Sequence, residues 1–161
     1  MTKMSHTDKV KQFTEESMGT KLPSTPSPLT KGEVVFITRM VASELLELIT
    51  TVTDTVDEAQ VMLQECIGSL DVPKQVPRFG SEEELIAEQY DAFVDAWYYM
   101  LNTSVKKGVN LDRLFDVVHE ANMRKRWADG KFHRREDGKV VKPEGWKEPD
   151  LVSEIKKQMQ Q

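Results

Sequence analysis

Four carboxylates between Ser81 and Val105 fall at spacings that could do chemistry: Glu84, Glu88, Asp91 and Asp95. At about 100° per residue they share one helical stripe about 60° wide. No Lys or Arg stands anywhere in Ser81–Val105. The stripe has no intrahelical counter-charge, and each like-charge pair there costs about 0.2–0.5 kcal/mol. A shorter pattern, Glu44-x-x-Glu47, lies upstream. Carboxylates from two segments would make an oxygen-only site, which suits a hard cation such as Mg²⁺ or Mn²⁺. Mg²⁺ is commonly held together with substrate phosphates, and nearby Lys and Arg supply the donors those phosphates need. The combination reads as chemistry on a phosphoanhydride, with water activated by the metal and a carboxylate base. A solvated acidic edge carries the same residue types, and two Glu at i and i+3 occur in many exposed helices. The spacing leaves both readings open.

The acids must be positioned by helices. Ser81 and Glu84 form a capping-box pattern that opens one over Ser81–Val105. Its Phe93, Trp97, Met100 and Leu101 make a wide apolar face, with Ala87, Ala92, Val94, Ala96, Tyr98 and Tyr99 on the flanks. A helix apolar on most sides is expected to be buried on most sides, so its acid stripe would line a cleft. Thr30 and Glu33 open a second helix running to about Asp54. Val34, Ile37, Val41, Leu45, Leu48 and Val52 give it a core stripe, and Glu44 and Glu47 sit beside that stripe rather than opposite it. Asp57 to about Leu70 reads as a third helix, ended near Gly68 and followed by a loop with Pro73 and Pro77. Asn110 caps a fourth main helix with Leu111, Leu114, Phe115 and Val118 on its buried face. Asp137-Gly138 is a two-residue hairpin signal. Leu151–Gln161 is a short polar helix or a frayed tail. Residues 1–29 read as an arm, with a short helix over Lys9–Met18 and then Pro23, Pro26 and Pro28, and 30–161 read as the domain.

Composition narrows the function. The chain has 161 residues, a formal net charge of −5 and one cysteine, Cys66. That charge is too mild to imply a nucleic-acid partner, and one cysteine excludes an internal disulfide framework and fits a reducing compartment. No apolar run nears the roughly 20 residues of a membrane span, and no secretory h-region is visible. A cytoplasmic location is expected. From Glu120 to Lys147 nine Lys or Arg face five Asp or Glu, so the C-terminal third is basic. This is a phosphate-binding rim or a solvated basic surface. No Gly-rich phosphate loop and no Cys-x-x-Cys is present. Asp116-x-x-His119 is one poor copy of a motif that di-iron bundles need twice.

Glu44-x-x-Glu47, then Glu88-x-x-Asp91 with Asp95 four further on, resembles the signature of the all-α nucleoside triphosphate pyrophosphohydrolases. That superfamily includes MazG-like proteins, dimeric dUTPases and phosphoribosyl-ATP pyrophosphatase. Asn122-Met123-Arg124-Lys125, Asp137 to Pro143, and Pro149-Asp150 are similar to its phosphoribosyl-ATP pyrophosphohydrolase-like branch. The resemblance covers about Phe36 to Asp150. The helix patterns and the Asp137-Gly138 signal together predict an all-α bundle of four to five helices with a short C-terminal β-hairpin, and the resemblance implies that the bundle dimerises, as a homodimer or a dimer of dimers. The resemblance also implies Mg²⁺-dependent (Mn²⁺ as a substitute) hydrolysis of a nucleoside triphosphate to the monophosphate and pyrophosphate. Carried over, Glu44, Glu47, Glu88 and Asp91 hold metal, Asp95 is a fifth ligand or supports one, and Glu44 and Glu47 are the catalytic carboxylates. Asn122, Lys125, Lys139 and Lys142 grip phosphate or sugar. Many relatives carry a Glu where this chain has Ser43, and that departure leaves open a non-catalytic nucleotide- or metal-binding module. Phosphoribosyl-ATP hydrolysis is the third reading.

Overall fold

The computed structural model describes residues 4–136 and 138–160. Among them are six α-helices and no strand: α1 (His6–Met18), α2 (Lys31–Thr50), α3 (Val56–Gly68), α4 (Glu82–Lys106), α5 (Leu111–Met123) and α6 (Leu151–Met159). The all-α expectation holds. None of these helices is long and apolar enough to cross a membrane.

Local chemistry sets the helix starts. Ser5 with Asp8 and Thr30 with Glu33 close complete capping boxes on α1 and α2. Each satisfies backbone N–H groups that a helix leaves orphaned. Asn110 caps α5 by accepting the Arg113 N–H. The box expected on α4 forms in part. Ser81 Oγ accepts from Glu84 N–H at 3.2 Å, but the Glu84 carboxylate takes the Gly80 N–H at 2.7 Å. α2 stops short of Asp54. Thr50 and Thr51 hydroxyls donate back to the Glu47 and Leu48 carbonyls at 2.6 and 2.7 Å, competing with helix propagation in its last turn.

The chain divides into two compact units. One is Pro26–Phe93; the other joins residues up to Thr25 with those from Val94 onward. In the first, α2 packs on α3. The Gln89 side chain is pinned to Leu29, accepting its N–H at 2.7 Å and donating to its carbonyl at 3.1 Å.

In the second unit α5 packs on α1 and on α6. The arm's helix is thus tied into this unit. Lys9 pairs with Asp116 and Glu16 with Arg126. Arg134 Nη2 donates to Ser17 Oγ at 2.8 Å, and the His6 ring stacks on Phe115 at 4.0 Å and Trp97 at 5.7 Å. Arg113 and Glu154 join α5 to α6 at 2.5 Å.

Two expectations are corrected. The C-terminal hairpin does not form strands: Asp137 lies outside the described residues, and around it only an isolated antiparallel bridge joins Arg134 and Val140. Pro143 lacks the N–H a longer ladder needs, so the second arm is cut after a few residues. The apolar stripes of α2 and α4 are also not buried within the chain. Neither helix holds a buried residue, with Leu48 63% and Trp97 45% exposed. Among the described residues the buried apolar side chains are Ala59 and Ala121. The sequence period correctly locates the apolar faces, but the described residues of the single chain cover them only in part.

Candidate functional site

The candidate acids lie on α2 and α4. Glu84, Glu88 and Asp91 line one open cleft of about 420 Å³ with Phe79 and Ala87. Helical spacing places them there, since residues three and four apart share a face. Asp95 follows one turn further along α4. Glu44 and Glu47 are exposed on α2. Among the described residues none of Glu44, Glu47, Glu88, Asp91 or Asp95 has a side-chain hydrogen bond or ion pair. Gln89 of α4 is bonded to Leu29, just ahead of α2, and Glu44 lies about 20 Å along α2 from its first residue at 1.5 Å per residue. Among the described residues no three His, Cys, Asp or Glu side chains converge closely enough to hold a metal ion. The donor set nonetheless has the chemistry of a hard-cation site: carboxylate oxygens with no cation spent on them and no sulfur or imidazole among them.

The candidate basic residues lie at the end of α5 and past it, and form a cluster of their own within the second unit. Lys125 Nζ donates to Asn122 Oδ1 at 2.7 Å. Lys142 Nζ pairs with Glu148 Oε1 at 2.7 Å. Both ammonium groups stand over the indole of Trp146, at 5.4 Å for Lys125 and 4.3 Å for Lys142. The Trp146 Nε1–H donates to Ala121 O at 2.8 Å. Burial pushes the Lys125 ammonium below the usual lysine range, and Lys142 and Lys139 push the same way against Glu148. Asn122, Lys125 and Lys142 are therefore brought together, with Lys139 close enough for its charge to be felt. Trp146 and Glu148 went unrecognised in the sequence pattern. The available signal was Trp146 as the one aromatic between Lys142 and Pro149, in a run otherwise of charge, Gly and Pro.

The sequence model of the phosphoribosyl-ATP pyrophosphohydrolases matches residues 10–122. The chain belongs to this family. A crystal structure from Exiguobacterium sp. 255-15, provisionally described as an NTP pyrophosphohydrolase, is similar in fold with a TM-score of 0.80. The two are 26% identical, over 99% of this chain and 98% of that one. No curated protein matches the chain. Membership in the phosphoribosyl-ATP pyrophosphohydrolase family, and so in the all-α NTP pyrophosphohydrolase superfamily, makes the chain a pyrophosphohydrolase at the level of its family. The family match ends at Asn122, so Lys125, Lys139, Lys142 and Trp146 lie beyond it.

Proposed function

We propose that the protein hydrolyses a nucleoside or deoxynucleoside triphosphate to the monophosphate and pyrophosphate, with Mg²⁺ or Mn²⁺ as cofactor. One observation carries this reading: in a chain of this family, Glu84, Glu88 and Asp91 line a single cleft with no cation among them. Glu44, Glu47, Glu88 and Asp91, with Asp95 in support, would hold the metal. A divalent ion there supplies positive charge against phosphate oxygens and acidifies water. The chain's own groups do the rest. A Glu44 or Glu47 carboxylate takes a proton from the attacking water. Asn122, Lys125, Lys139 and Lys142 orient the phosphates through charge-assisted hydrogen bonds.

The bare apolar faces of α2 and α4 flank the acids, which favours a second copy of the chain as what covers them. The active form in this reading is a homodimer or a dimer of dimers, and the acids of α2 and α4 complete their metal sites on assembly. The family match also favours phosphoribosyl-ATP as a second candidate substrate.

The test is to incubate the protein with Mg²⁺ and a panel of NTPs, dNTPs and phosphoribosyl-ATP, and to measure released pyrophosphate. Release from a triphosphate, abolished by Glu47→Gln and by Asp91→Asn, is expected. Binding without release would mean a non-catalytic module, and equal release by both variants would remove the acids from the site.

A further inference from the structure

The two lysines that would grip phosphate carry like charge and sit on long flexible stems, and the one carboxylate paired with them among the described residues, Glu148, is bonded to Lys142 alone. Their mutual repulsion favours separation, which Glu148 offsets only in part. What they share is the face of Trp146, at 4.3 and 5.4 Å from the two Nζ atoms. The ring is held at two points. Its N–H reaches the carbonyl of Ala121, which is 1% exposed at the end of α5. Its backbone N–H closes a turn on Pro143 O at 3.1 Å, and Gly145 has φ 74°, which glycine adopts without strain. The electron-rich face of an indole attracts ammonium groups.

We propose that Trp146 is a positioning residue for polyphosphate binding, holding Lys125 and Lys142 within reach of one polyphosphate. The inference rests on the reading that these lysines grip phosphate. In the free protein Glu148 occupies Lys142, and an arriving phosphate takes its place.

Inorganic pyrophosphate without metal is the probe, titrated calorimetrically into the full chain. Trp146→Met keeps an apolar side chain but has no ring face, and Trp146→Phe keeps a ring face but has no N–H. Binding about tenfold weaker in Trp146→Met, with Trp146→Phe within about threefold of wild type, supports the assignment. Equal loss in both variants, or wild-type affinity in both, overturns it.

A wild-type measurement guards against a variant that fails to fold. The ε-methylene protons of Lys125 and Lys142 should resonate upfield, under the indole ring current, and shift when pyrophosphate is added. Random-coil positions for both would overturn the proposal. If no triphosphate is hydrolysed yet pyrophosphate binding follows the Trp146 pattern, the enzyme reading fails and this inference stands.

Discussion

The acid-bearing helices and the lysine cluster are built on opposite plans. Glu44, Glu47, Glu88 and Asp91 are exposed, unpaired and flanked by bare apolar surface. Lys125 and Lys142 are hydrogen-bonded, paired and seated on an aromatic ring. The difference teaches where each half gets its organisation. Local turns and one indole fix the cationic half inside a single chain. The anionic half has no such internal support, and mutual repulsion opposes gathering it. In the proposed reading a metal and a covering second copy gather it.

The largest test of that contrast is complementation. Glu47→Gln and Asp91→Asn should each lower pyrophosphate release by on the order of a hundredfold or more. If the metal site joins α2 of one copy to α4 of another, mixing and reassembling the two inactive variants restores about a quarter of wild-type activity. Half of the dimers are then mixed, and one site in each is intact. No recovery on mixing places each site within one chain.

Leu48→Glu puts a charge on the bare face of α2, and sedimentation should show the assembly falling to monomers. The isolated chain should keep its helices by circular dichroism. An unchanged oligomer would mean that this face is not the interface.

The lysine half predicts a pH effect. The Lys125 pKa lies below its ordinary value because of burial and of Lys142. A phosphate needs the protonated form, so pyrophosphate affinity is full below the shifted value and lost as pH rises through it. The alkaline limb should therefore begin earlier than for an exposed lysine, and Lys125→Arg should move it to higher pH. Calorimetric titration across the alkaline range measures this.

The smallest effect concerns the frame. Ser5→Ala removes the α1 capping box and should cost about 1 kcal/mol, a fall of about 2–4 °C in melting temperature.

Much of this was legible from residue order. Thr30 and Asn110 placed helix starts because capping depends on near neighbours. The acid stripe of α4 was legible for the same reason, since helical periodicity is local. Burial was not legible. The stripe of Val34, Val41, Leu45 and Leu48 has a core pattern, but pattern does not say whether the cover comes from the same chain. The clasp of Arg134 on Ser17 and the seating of two lysines on Trp146 were also hidden, because they join residues far apart in sequence or through turns whose closure spacing does not encode. The hairpin signal at Asp137-Gly138 was local and still misled, because Pro143 limits the ladder that a turn can start.

The clasp of the arm has a consequence for how the polypeptide is made. Lys9 meets Asp116, Glu16 meets Arg126 and Ser17 meets Arg134, so each contact waits for more than a hundred further residues to be synthesised. The α2–α3 pair joins neighbours in sequence and can form early, whereas long-range contacts are slow to close. On a ribosome α1 emerges ahead of α2 to α6 and settles among the last of them. A nascent chain halted before Asp116 has nothing for Lys9 to grasp.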